Sequence, residues 1–159
     1  MKRRAFLALS AALPIAGCGF QLRGAHAIPY RSIYLDAPKD SKTARHLADA
    51  LRGQGVAVVD TVKDADARLR ISQEKQSRSI LSLSGGGRVR EYRLNYSLSY
   101  SLSDKDGREI YPEAVIQSIR DFTYDDNLYL AKTAEENFLY RDLQDEAVQQ
   151  ILRRLAASR

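Results

Sequence analysis

From Glu91 to Leu102 the chain alternates without a break. Tyr92, Leu94, Tyr96, Leu98, Tyr100 and Leu102 hold the even positions, and Glu91, Arg93, Asn95, Ser97, Ser99 and Ser101 the odd ones. Successive side chains of a strand point to opposite faces, so this period of two predicts a long strand with one buried and one wet side. The strand should run from about Arg88 to Ser103. The Tyr/Leu side is core, and chemistry must be sought elsewhere.

Other segments take their places around it. Ile33-Tyr34-Leu35 reads as a short strand closed by Pro38. Ser41 is a good helix N-cap, and Ala44, Leu47, Ala48 and Leu51 follow at helical spacing. Gly53 and Gly55 should end that helix, and Val56-Ala57-Val58-Val59 is an apolar run consistent with a buried strand. Strand, helix and strand within about 30 residues suggest a parallel crossover unit. Leu69 and Ile71 alternate with Arg68, Arg70 and Ser72, and the pattern resumes loosely around Ile80, Leu81 and Leu83. Gly85-Gly86-Gly87 precedes the central strand. Asp104 to Gly107 is a turn, and Ile110 to Tyr124 returns as a strand whose Pro112 marks an edge or a bulge. Short connections make these three strands an antiparallel meander. A last helix is predicted from about Asn127 to Ala157. Ala131, Ala134, Phe138, Leu139, Leu143, Ala147, Ile151 and Leu155 form its stripe, opposite Glu135, Arg141, Asp145, Gln149 and Arg153. At roughly 45 Å it matches the roughly 50 Å strand. The expected fold is α+β, a two-layer sandwich with a mixed sheet and both helices on one face.

The first residues follow another rule. Lys2, Arg3 and Arg4 precede the apolar run Ala5–Ala16, about twelve residues where a spanning helix needs about twenty. This is a signal-peptide pattern, and Arg3-Arg4-Ala5-Phe6-Leu7 also resembles a twin-arginine export signal. It ends in Ile15-Ala16-Gly17-Cys18, which resembles the lipobox of bacterial lipoproteins, where the cysteine becomes the acylated N-terminus. Several acyl chains anchor a protein stably to a membrane. Gly19, rather than Asp, after the cysteine favours the outer membrane. The expected organisation is a signal peptide at 1–17, a lipidated linker at 18–30 and one domain at 31–159.

Charge changes the picture little. The formal net charge of +5 includes Lys2, Arg3 and Arg4, and without residues 1–17 there remain 22 basic and 20 acidic residues. So even a balance argues against a nucleic-acid partner. Cys18 is the single cysteine, so no internal disulfide forms. His26 and His46 stand twenty apart and build no zinc site, and His46 reads as an exposed helix residue. No Ser/His/Asp set or close carboxylate pair argues for an enzyme, and no cofactor is implied. The glycine triplet lacks the Lys-Ser/Thr ending of a phosphate loop.

Strand direction gathers one candidate site. The central strand runs away from the Gly85–Gly87 tip, the next returns, and the last helix starts there. Arg88, Arg90 and Lys132 therefore meet at one end, with Arg88 and Arg90 sharing the parity of Tyr92. A basic cluster beside an apolar stripe suits a phosphate-bearing amphiphile, because Arg binds phosphate bidentately. A merely solvated hairpin tip is the competing reading.

Cys18-Gly19-Phe20-Gln21-Leu22-Arg23-Gly24 resembles the mature start of the LPS-assembly lipoprotein family, LptE. So do Glu91-Tyr92, Asp104 to Gly107, Ile110-Tyr111-Pro112, Ala131-Lys132 with Glu135-Glu136, and Ile151 to Leu155, in this order over nearly the whole mature chain. The resemblance implies a non-catalytic lipoprotein on the inner leaflet of the outer membrane. It implies a place inside the large β-barrel LptD, support of barrel assembly, and contact with lipopolysaccharide on its way to the outer leaflet. Basic residues at the hairpin tip and at the start of the last helix carry that contact in the family. Lys132 matches within its Ala-Lys motif, whereas the tip carries glycines, so Arg88 and Arg90 are approximate stand-ins. A tethered periplasmic enzyme, and a lipid-binding or scaffold lipoprotein of another envelope system, are the alternatives.

Overall fold

A computed structural model of the chain describes residues 28–158. The segment read as a signal peptide, most of the linker, and Cys18 lie outside the described residues. The elements are β1 (Ser32–Asp36), α1 (Lys42–Gly53), β2 (Ala57–Val59), β3 (Ala67–Leu83), β4 (Val89–Asp104), β5 (Glu109–Thr123) and α2 (Tyr129–Ala157). Short 3₁₀ turns at Val62–Asp64 and Asp126–Leu128 precede β3 and α2. The strands form one sheet in the order β2-β1-β3-β4-β5. β1 pairs in parallel with both β2 and β3, while β3, β4 and β5 form the antiparallel meander. This is the expected α+β two-layer sandwich.

The parity of β4 organises it. Leu94, Tyr96, Leu98, Tyr100 and Leu102 are all buried. Leu69 and Ile71 of β3 lie beside Leu102 and Tyr100, and Ile116 and Phe122 of β5 beside Leu98 and Tyr92. Leu47 and Leu51 of α1 and Leu143, Ala147, Ile151 and Leu155 of α2 complete the same cluster. Each such leucine or isoleucine contributes about 1.5–3 kcal/mol by leaving water, which holds both helices to one face.

Helix ends follow local chemistry. The Ser41 hydroxyl accepts from the Ala44 amide at 3.0 Å and caps α1. Gly53 is still helical. Gly55 takes the left-handed turn at φ 81°, and the amides of Gly55 and Val56 bond back to the carbonyls of Arg52 and Leu51. Beyond it the expected buried strand is corrected. β2 is a three-residue edge strand with Ala57 exposed and Val58 and Val59 half-buried, and Val56 before it is the buried residue. An edge position leaves one flank of the run open.

β3 departs most from simple alternation. Ile71 pairs with Tyr100, yet Gln73 pairs with Ser99, so Ser72 is the extra residue of a bulge. The bulge reverses parity. Ala67, Leu69 and Ile71 face the helices before it, and Glu74, Gln76, Arg78 and Ile80 stand opposite Leu98, Tyr96, Leu94 and Tyr92 after it. The loosely patterned stretch at Ile80, Leu81 and Leu83 belongs to this same strand and is exposed.

The stripe on α2 is also corrected. From Leu143 onward it is buried, but Ala131, Ala134 and Phe138 are exposed, Phe138 to 54%. The sheet-facing positions there are Lys132, Glu136, Leu139 and Tyr140. A step of one residue turns a helix by about 100°, so Ala131, Ala134 and Phe138 face outward where the sheet offers an arginine rather than leucines, while Leu139 of the stripe packs on the core as expected.

Candidate functional site

The tip hairpin is closed by two backbone bonds, Ser84 to Arg88 at 2.7 Å and Gly87 to Ser84 at 2.9 Å. Gly87 supplies the left-handed residue at φ 76°. Arg88 and Arg90 are exposed there, and neither forms a salt bridge among the described residues. Strict sharing of parity with Tyr92 is not kept. Ser82 pairs with Glu91 and Leu83 with Val89, which leaves Arg90 as the bulged residue against β3.

The three predicted cations come to one end, but not as equals. The Tyr124 amide bonds to the Arg90 carbonyl at 2.8 Å, and Thr123 pairs with Glu91. Lys132 Nζ reaches Thr123 Oγ1 at 3.3 Å, so it stands beside the Arg90 end of that ladder. It also donates to Glu135 at 2.8 Å, and its side chain is only 16% exposed. Lys132 is thus an engaged cation, whereas Arg88 and Arg90 are open ones.

A fourth cation escaped the sequence reading. Arg78 lies 4.3 Å over the Tyr92 ring and donates to Glu136 at 2.7 Å. Burial works against its charge, but the Glu136 bond and charge hold its pKa above the ordinary arginine value. Tyr92 stacks on Phe122 at 6.0 Å and meets Tyr124 edge-on at 5.0 Å. The signal that hid Arg78 is the Ser72 bulge, because unbroken alternation would place Arg78 on the wet face with Arg68 and Arg70. Ile80, opposite Tyr92, and Leu83, Leu128, Tyr129 and Leu130 at the same end of the domain are exposed, Leu130 to 82%. The end of the domain is therefore a basic and apolar rim, the chemistry of an amphiphile's headgroup boundary.

Elsewhere, Glu74 gathers hydroxyl and amide donors beside an open polar cleft that includes Lys42, Lys75 and Gln144. His46 is partly exposed and lies 3.1 Å from Asp145, joining the two helices. Among the described residues no group of His, Cys, Asp and Glu is placed to hold a metal ion, and no helix is long and apolar enough to cross a membrane.

The fold and its rim define a small two-layer α+β domain of the kind seen in bacterial lipoproteins. A lipoprotein B from Nitrosomonas europaea has a similar structure, with a TM-score of 0.77, 35% identity and coverage of 87% of this chain and 91% of that one. The rare lipoprotein B from Shewanella oneidensis aligns with a TM-score of 0.70 and 28% identity over 79% of this chain and 94% of that one. Residues 30–155 match the family model described as LptE: Lipopolysaccharide-assembly. The LPS-assembly lipoprotein LptE of Pectobacterium atrosepticum is 31% identical, over 98% of this chain and 86% of that protein. The protein of the same name from Yersinia enterocolitica is 32% identical over 91% and 71%. The chain belongs to the LptE family.

Proposed function

We propose that this chain is a non-catalytic outer-membrane lipoprotein that assists assembly of, and plugs, the lipopolysaccharide-translocating barrel LptD, and that it binds lipopolysaccharide during delivery. Residues 1–17 direct export and are removed, Cys18 carries the acyl anchor, and residues 18–30 tether the domain of residues 31–159. Arg88, Arg90 and Lys132 contact the phosphates of the cargo.

The observation that carries this reading is the polarity of the domain. β1 enters the sheet beside Ala67, where β3 begins, and Ala67 pairs with Asp104, where β4 ends. The tether therefore joins the end opposite the glycine tip. The length of β4, about 50 Å at 3.3 Å per residue, separates the start of β1 from the basic rim. An anchored base and a remote amphiphile-binding rim suit a plug that reaches from the membrane surface along a barrel lumen. Membership of the LptE family supports the same assignment.

The test is depletion of the chain in cells, with the barrel followed by its heat-modifiable migration. Misassembled barrel and loss of surface lipopolysaccharide are expected. Normal assembly and export would refute the proposal. Lipid copurification without a barrel would point to another envelope system.

A further inference from the structure

The cations of the rim are unequally available. Arg88 and Arg90 are open to water, but Lys132 and Arg78 already hold carboxylates. Glu135 sits on Lys132 at 2.8 Å and Glu136 on Arg78 at 2.7 Å. The two acids are consecutive residues of α2, so one segment of helix occupies both cations. A carboxylate and a phosphate offer the same thing to Lys or Arg, an anionic oxygen that accepts charge-assisted hydrogen bonds. Partly exposed ion pairs are weak enough to exchange for such a competitor. Arg78 would keep its place after the exchange, because it stands over the Tyr92 ring whatever its anion. The Glu136–Arg78 pair also ties to β3 the stretch of α2 whose own apolar residues, Leu130 and Phe138, face water.

We propose that Glu135 and Glu136 are internal anions that occupy Lys132 and Arg78 until the phosphates of a phosphate-bearing amphiphile displace them. Arg78 and Lys132 then form a second, masked phosphate subsite behind the open one at Arg88 and Arg90. The inference rests on the reading of the rim as a lipopolysaccharide-binding site. It adds Arg78 to the ligand-binding residues and gives the two acids a gating role. Displacing Glu136 also removes its tie between α2 and β3, while Lys132 keeps its place beside Thr123.

The test titrates purified lipopolysaccharide against the acylated full chain in detergent. Wild type is compared with the double variant Glu135→Gln/Glu136→Gln and with Asp49→Asn/Asp106→Asn, which removes the same charge at exposed positions elsewhere. The acidic double variant should bind about 3- to 10-fold tighter, and the control should change less than about twofold. Adding Arg78→Gln to the double variant should take the gain away. Equal or weaker binding by a double variant that melts as wild type does would overturn the inference and leave the rim reading standing. If the double variant does not fold, Glu135→Gln alone decides, since Lys132 keeps its bond to Thr123. Wild type that binds no lipopolysaccharide would overturn the rim reading and the inference together.

Discussion

Thr43 Oγ1 and the Tyr96 hydroxyl lie 2.6 Å apart in the core, joining the first turn of α1 to the middle of β4. Glu74 accepts from Thr43 at 2.7 Å, from Ser41 at 2.6 Å and from Gln144 of α2 at 3.2 Å. The Tyr96 hydroxyl stands 3.3 Å from the same carboxylate. One acid thus ties both helices to the sheet, and it faces them because of the bulge at Ser72. Glu74→Leu leaves these donors without their acceptor and should cost about 2–4 kcal/mol in urea unfolding, with Glu74→Gln costing less. A midpoint unchanged by Glu74→Leu would contradict this role.

Leu98→Ala should cost about 2–5 kcal/mol, because Leu98 is fully buried at the centre of the cluster. Phe138→Ala should cost less than about 0.5 kcal/mol, because that ring is on the water side of α2. The two melting curves separate the true core face of the helix from its apparent stripe.

Much of this was legible. The alternation of β4 is unbroken and fixed the core face, and Ser41 marked the start of α1 through an ordinary capping bond. The rest failed where tertiary partners override local pattern. Nothing in the residues around Ser72 announces a bulge, so the reversal that turns Glu74 and Arg78 toward the helices was hidden. Phe138 lies on the extension of a correct stripe, but the sheet beneath that turn offers Arg78, and Glu136 turns inward to meet it. Val56 to Val59 reads as buried because composition does not report that its strand is an edge. At the rim, strand direction placed Arg88, Arg90 and Lys132 at one end, while the ion pair that engages Lys132 depends on side-chain geometry.

Stability should fall on both sides of neutrality for named reasons. The amides of Arg31 and Ser32 bond to Asp66 and hold its carboxyl below the usual value of 3.8. A depressed pKa gives stability that is present above 3.8 and lost as pH falls through the lower folded value. Asp66→Asn should therefore flatten the acid limb of a pH–stability curve. Burial, with the Glu74 charge behind it, pushes the Tyr96 phenol well above its usual range. That contribution is complete below the ordinary tyrosine pKa and is lost as pH rises through the folded value. Tyr96→Phe should flatten the alkaline limb. An unchanged slope in either variant would contradict the assignment.

Arg78→Met removes the ion pair to Glu136 and the cation over Tyr92. Amide exchange should quicken from Tyr129 to Tyr140 and stay unchanged from Leu143 to Leu155, which the core holds. Uniform exchange along the helix in the variant would show that the pair does not secure the first turns.

Arg88→Glu combined with Lys132→Glu should weaken lipopolysaccharide binding by about tenfold or more, since two favourable charge contacts become repulsive. The domain should stay folded, because Arg88 is exposed without a salt bridge and the core holds α2 from Leu143 to Leu155, while the carboxylate set beside Glu135 by Lys132→Glu loosens only the first turns. Unchanged binding by the folded double variant would remove these residues from the site.

The polarity of the domain is tested most directly by photo-crosslinking in intact cells. A crosslinking amino acid at position 88, on the tip hairpin, should trap lipopolysaccharide, while one at position 105, on the opposite hairpin, should not. Equal trapping at both positions, or trapping at 105 alone, would contradict the account.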